Sequence, residues 1–187
     1  MGNATAVALL LIDLQNSFFH EDGQNYYSES AEVLPALRKL LHSARTAQRP
    51  VIFVAERHRP GLTDFEQAKL PVHCVDGEFD SQLVDGFSPR GRDEILVPKR
   101  RMSAFHSTDL DLLLRELEVG TLVIGGVKAN VCVRATVQDA FSLGYRCHVV
   151  RDAVNSNRPH LAEASLEDIE RYLGWVVPLE EGVRLLS

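Results

Sequence analysis

Six short apolar runs punctuate this chain. Segments with apolar positions at helical spacing separate most of them. The first run, Val7-Ala-Leu-Leu-Leu-Ile12, is continuous rather than alternating and stops at Asp13. A short continuous run predicts a strand buried on both faces. Pro50-Val-Ile-Phe-Val-Ala55 repeats the pattern, and Glu94-Ile-Leu-Val97 leads into Pro98 and Lys99. Thr121-Leu-Val-Ile124, closed by Gly125-Gly126, then Cys147-His-Val-Val150 and Trp175-Val-Val177 complete the set. Between them, Ser30 to Gln48 places Val33, Leu34, Leu37, Leu40 and Leu41 on one helical stripe, with Ser28 or Ser30 as a cap. Thr108 to Glu118 reads as a helix with Thr108 as N-cap, Asp111 as a carboxylate variant of the capping box and Gly120 as its stop. Asn130 to Leu143 carries Val133, Val137, Ala140 and Phe141 before Gly144, and Pro159 to Leu173 has its proline near the start. Residues 57–93 are irregular, with Pro60, Pro71 and Pro89, and a stretch this long is usually functional or locally folded.

This alternation predicts one α/β domain over 1–187: a Rossmann-like, doubly wound, mainly parallel six-stranded sheet with helices on both faces. Right-handed crossovers follow. Ligands of such sheets bind beyond the carboxyl ends of the strands. That rule selects Asp13, Glu56, Lys99, the segment Lys128 to Cys132, and Asp152.

Composition narrows the partners. A 45% hydrophobic and 25% charged chain of 187 residues builds a real core. Its net charge of −6 argues against nucleic acid or an anionic membrane as the main partner. Cys74, Cys132 and Cys147 are odd in number and loosely spaced, which predicts free thiols in a reducing, cytoplasmic setting. The longest apolar run is too short for a membrane span. Met1 to Thr5 has no basic region, so no secretory leader is expected, and Ala6 stands where a myristoylation signal has Ser or Thr.

Three residues carry the candidate chemistry. Cys132 opens a helix, where unpaired N–H groups and partial positive charge favour a thiolate. A lone helical cysteine is also a common small core residue. Asp13 is either a reactive carboxylate or a turn cap. Lys99, in Pro98-Lys-Arg-Arg101, would by itself read as a solvated charge.

Together these segments resemble the isochorismatase-like cysteine hydrolase family over nearly the whole chain. The resemblance rests on Leu9-Leu-Leu-Ile-Asp13-Leu-Gln-Asn-Ser-Phe18, on Lys99-Arg-Arg-Met-Ser-Ala-Phe105, and on Gly125-Gly-Val-Lys-Ala-Asn-Val-Cys132-Val-Arg-Ala-Thr136 with Asp139-Ala-Phe141. It implies Cys132 as nucleophile, Asp13 as general base, and Lys99 stabilising the thiolate. It also implies a cis peptide at Val127–Lys128, with the N–H groups of Lys128 and Cys132 forming an oxyanion hole, and a homo-oligomer. If the third strand lies two strands from the first, Lys99 must bridge roughly 10 Å to reach Asp13.

The resemblance implies hydrolysis of a C–N bond in a small-molecule amide or ureide through a Cys thioester, with no cofactor. Among the polar residues, Gln15 and Asn16 suit urea-like N–H groups and Arg101 suits a carbonyl or carboxylate oxygen, while Phe18 and Phe105 can wall a pocket. This set favours a ureide such as biuret, triuret or ureidoacrylate. Glu56-Arg-His58 and Pro71-Val-His73-Cys74 resemble the metal-site segments of the nicotinamidases, with Glu in place of Asp and an intermediate histidine missing. The favoured expectation is no metal. A metal-containing nicotinamidase and an inactive oligomeric binding module are the alternatives. Lys128 stands where the family often has Ala or Thr, and sequence places neither it nor Arg134.

Overall fold

The computed structural model describes residues 6–187, so the expectations attached to Met1–Thr5 lie outside the described residues. Its strands are β1 (Ala6–Ile12), β2 (Val51–Glu56), β3 (Glu94–Lys99), β4 (Val119–Val127), β5 (Arg146–Asn155) and β6 (Trp175–Val177). They form one sheet in the order β3-β2-β1-β4-β5-β6, with every neighbouring pair parallel. The order reverses between β1 and β4, which makes their carboxyl ends the switch point where such folds bind ligands.

Both faces of the sheet are covered, which explains the continuous apolar runs. Leu10, Ile12, Ile52 and Val54 pack on one side with Leu110 and Leu114 of α3 (Leu110–Glu116), Val137 of α4 (Arg134–Ser142) and Leu166 of α5 (Pro159–Asp168). Leu9, Leu11, Val51 and Phe53 pack on the other with Leu37, Leu40 and Leu41 of α2 (Leu34–Thr46) and Leu186 of α6 (Leu179–Leu186). A single-turn helix, α1 (Asn16–Phe19), follows β1.

Several elements differ in extent from the sequence expectation. A 3-10 segment at Ser28–Val33 precedes α2, and Pro35 sits in the first turn of the helix, where its missing N–H costs nothing. Thr108 Oγ1 accepts from the Leu110 N–H at 3.3 Å, but Asp111 serves Arg115 and the Tyr145 hydroxyl rather than closing a capping box. The helices expected at 130–143 and 159–173 each contain a π-helical turn, Ala129–Val133 before α4 and Ile169–Leu173 after α5. β5 runs five residues beyond the expected end, so Asp152 lies inside it, and its Oδ2 accepts from the Leu179 N–H at 2.9 Å to cap α6. The irregular segment contains 3-10 turns at Phe65–Ala68 and Phe79–Ser81 and a bridge between His58 and Val75.

All three cysteines are free and buried. No helix among the described residues is long and apolar enough to cross a membrane.

Candidate active site

Asp13 is the first residue beyond β1. It is fully buried and takes a left-handed backbone conformation (φ 54°), with its N–H donating to the Val54 carbonyl at 2.9 Å. Gly126 stands beside Ile12 in the β1–β4 register with φ 129°. A Cβ there would lie 2.1 Å from the Ile12 carbonyl oxygen, so only glycine lets the two strands close at the switch point.

Lys99 ends β3 in register with Glu56 of β2. Its buried side chain crosses the two-strand separation of about 10 Å and brings Nζ to 3.0 Å from Asp13 Oδ2 and 3.5 Å from Cys132 Sγ. The Asp13 contact is an ion pair rather than an aligned hydrogen bond, since both carboxylate oxygens lack an aligned donor. Cys132 lies within the π turn that follows β4 and is 4% exposed. The Val127–Lys128 peptide is cis. The Lys128 carbonyl accepts from the Val131 and Val133 N–H groups, while its own N–H finds no acceptor among the described residues.

Electrostatics departs from the helix-terminus argument. Burial pushes the Cys132 thiol well above the usual range, Lys99 offsets part of this, and Asp13 and Glu56 push it further up. Burial raises Asp13 to about 6 against the pull of Lys99. For Lys99, burial works against the charge, yet Asp13, Cys132 and Glu56 together hold it protonated well beyond the ordinary lysine range. The resting arrangement is thus a fixed ammonium beside a thiol and a carboxylate whose proton affinity lies near neutrality. That is the range in which a general base works.

A second cluster adjoins the first through Glu56. Donor atoms of Glu56, His58, Glu66 and His73 all lie within 4.8 Å of one another. Sequence reading paired the first two with His73 but had no signal for Glu66, which lies in an irregular segment. The His73 Nδ1–H donates to the Pro71 carbonyl at 2.8 Å, which turns Nε2 toward Glu56 Oε2 at 3.3 Å. His58 Nδ1 faces Asp64 at 3.3 Å, and Asp64 is itself held by Arg100 and Arg101. Glu56 Oε1, Glu66 Oε2 and both His58 ring nitrogens are buried without a hydrogen-bond partner. Carboxylate and imidazole donors, second-shell partners and orphaned lone pairs together fit a divalent cation.

The residues expected to contact substrate are dispersed. The Gln15 amide is spent on the backbone, donating to the Glu56 and Ser81 carbonyls and accepting from the Glu56 N–H, so it fastens β1 to β2 instead. Asn16 donates to the Phe79 carbonyl at 3.2 Å. Arg101 turns to Asp64. Phe105 stacks on Tyr145 with centroids 5.7 Å apart, just before the start of β5 and at the opposite end of the sheet from Cys132. Phe18 alone stays near the site, with the Lys128 ammonium 5.8 Å from its ring centre. Tyr27, which sequence gave no reason to single out, offers a second ring 5.4 Å from the same ammonium. Arg134 pairs with Asp168 at 3.2 Å.

Comparison with known proteins matches residues 7–181 to the isochorismatase domain. The chain is 33% identical to ureidoacrylate amidohydrolase RutB of Stutzerimonas stutzeri, over 92% of this chain and 79% of that one. The structure superposes on an isochorismatase-like hydrolase from Alkaliphilus metalliredigens with a TM-score of 0.90 at 30% identity, covering 97% of this chain and all of the other. It is also similar to nicotinamidase PncA from Bacillus subtilis, with a TM-score of 0.86 at 26% identity, over 92% of this chain and 99% of that one.

Proposed function

The chain belongs to the isochorismatase family of hydrolases, and from that premise we propose that it cleaves a C–N bond of a small amide or ureide through a Cys132 thioester. The observation that carries this reading is the position of Lys99 Nζ, within 3.5 Å of both Cys132 Sγ and Asp13 Oδ2.

Asp13 takes the Cys132 proton as Sγ attacks the substrate carbonyl carbon. Lys99 stays charged throughout and stabilises both the thiolate and the Asp13 carboxylate. The free Lys128 N–H and the Cys132 N–H receive the developing oxyanion, a contribution of roughly 3 kcal/mol per donor. Asp13 returns its proton to the nitrogen, and ammonia or an amine leaves as the C–N bond breaks. A water that gives its proton to Asp13 then attacks the thioester carbon. The acid departs and the proton returns to sulfur.

The 33% identity to a ureidoacrylate amidohydrolase supports a ureide substrate. The test is ammonia release from biuret, triuret, ureidoacrylate, N-carbamoyl amino acids and nicotinamide, with wild type and Cys132→Ala side by side. Cys132-dependent release from a ureide supports the reading. Release that persists in Cys132→Ala overturns the mechanism. A thiol inert to alkylation together with silence across the panel favours an inactive binding module. The homo-oligomer implied by the family belongs to the same proposal, and light scattering tests it.

A second reading, a metal-containing nicotinamidase, is favoured by the orphaned donors around Glu56 and His58. Glu56, His58, Glu66 and His73 would hold the ion, which would supply Lewis-acid polarisation next to the carboxyl end of β2. Nicotinamide turnover with a stoichiometric metal content separates it from the first reading.

A further inference from the structure

Lys128 presents a cation with no ion-pair partner among the described residues. Its ammonium lies over the rings of Phe18 and Tyr27, both buried. Those rings are a fixed platform. The Tyr27 hydroxyl donates to Asn155 Oδ1 at 2.7 Å, and Asn155 Nδ2 donates to the Glu29 carbonyl at 2.6 Å. Asn155 is in turn the register partner of Val127, immediately before Lys128. The side chain is therefore posed beside the β4 end that leads into the Cys132 turn.

Its surroundings contrast with those of five other cations near the strand ends. Lys99 faces Asp13, Arg57 faces Asp76, Arg100 and Arg101 face Asp64, and Arg134 faces Asp168. No carboxylate among the described residues lies within 4.0 Å of Lys128 Nζ. Burial makes the ammonium harder to hold, the Cys132 sulfur opposes this, and the Arg158 charge adds to it. Taking half of an ammonium out of water without a counter-ion is costly. An unpaired ammonium in a chain of net charge −6 sets up a local positive field.

We propose that Lys128 is the anion-recognition residue of this hydrolase, and that its substrate is an amide or ureide bearing a carboxylate a few bonds from the scissile carbonyl. This inference rests on the cysteine-hydrolase reading and deepens it. One residue then serves both ends of the substrate. Its backbone N–H faces the reacting carbonyl oxygen, and its ammonium faces the acid group, with Arg158 adding to the field. Carboxylated ureides fit this arrangement, whereas biuret, triuret and nicotinamide bring no anion to it. The aromatic platform keeps the lysine stem from collapsing onto solvent, so the charge is ordered before substrate arrives.

Alkylation of Cys132 by iodoacetate and by iodoacetamide tests this without knowledge of the substrate. The two reagents are near-isosteric and differ in charge. The ratio of their second-order rates at Cys132, mapped by mass spectrometry, should favour iodoacetate in the wild type. It should fall at least tenfold in Lys128→Met, stay within threefold of wild type in Lys128→Arg, and fall less in Arg158→Met. The same ordering should appear in kcat/KM for ureidoacrylate relative to its uncharged methyl ester, with the loss carried mainly by KM. Lys128→Gln replaces Lys128→Met if the latter does not fold. A charge preference that is absent, or that survives in the uncharged variant while Cys132-dependent ureide turnover persists, overturns the anion role alone. A Cys132 inert to both reagents overturns the hydrolase reading and this inference with it.

Discussion

Lys99 Nζ stands 3.0 Å from Asp13 Oδ2, although β2 separates the strands that carry them. The pair is buried with neither partner exposed, so each charge depends on the other. Removing one partner of such a pair leaves an uncompensated buried charge, at a cost of about 3–5 kcal/mol. Lys99→Ala should therefore unfold at markedly lower urea concentration than the wild type. Pairing Asp13→Asn with Lys99→Met should recover much of that loss while leaving turnover abolished. Urea melts beside an ammonia assay measure both. Single variants as stable as wild type would show that the two charges are not coupled.

As the proposed general base, Asp13 should set the acid limb of the rate profile. Its working form is the carboxylate, and burial raises the group to about 6. With falling pH, kcat/KM should drop through about 6, about tenfold per pH unit below it. Lys99 pulls the Asp13 value down, so Lys99→Gln should move the limb to higher pH in whatever activity remains. A plateau extending to pH 4 would exclude Asp13 as the base.

Asp13, Lys99 and Cys132 were legible because each stands where an apolar run gives way to a polar segment, and because the surrounding segments resemble one family. The reach of Lys99 was not legible. It depends on the order β3-β2-β1, which alternation of strand and helix does not specify. The direction of the Cys132 shift was also hidden, since a helix terminus argues for a lowered value while burial beside Asp13 and Glu56 raises it. Gln15 and Phe105 have side chains fit for a substrate, yet backbone carbonyls and Tyr145 claim them first. Tyr27 and Glu66 sit in stretches with no periodic signal, so only the tertiary fold brings them to their clusters.

Gly126 makes the switch point possible and should tolerate no side chain. Its φ of 129° is unfavourable for L residues, and a Cβ would meet Ile12 backbone atoms at 2.1 and 2.7 Å. Backbone cannot swing away as a side-chain tip can. Gly126→Ala should therefore fail to accumulate as folded protein or lose several kcal/mol. Gly144→Ala is the control. It also has positive φ but open space around the added carbon, so its loss should be smaller, about 1–2 kcal/mol. Equal losses in a thermal melt would attribute the whole effect to φ and none to the contact with Ile12.

The Glu56, His58, Glu66 and His73 cluster makes a prediction that needs no substrate. Its carboxylates are buried, and burial is opposed at Glu56 chiefly by Lys99 and then by the two histidines, which hold it ionised well below the usual range. A divalent ion would satisfy Glu56 Oε1, Glu66 Oε2 and one His58 ring nitrogen together, the Nδ1 atom facing Asp64 instead. Protein stripped with chelator and dialysed should take up one zinc or manganese ion per chain by elemental analysis. Binding to the folded state alone stabilises it by about 2.7 kcal/mol at a hundred times Kd, which raises the melting temperature by several degrees. His58→Ala should abolish uptake. Glu66→Gln should weaken it roughly 10- to 100-fold if Glu66 acts as a ligand or fixes one, as losses of outer partners do elsewhere. Uptake unaffected by Glu66→Gln would leave a three-donor site of Glu56, His58 and His73. Absence of both uptake and thermal shift would mean that the cluster is held by Lys99 and the Asp64–arginine pairs alone, and the nicotinamidase reading would fall.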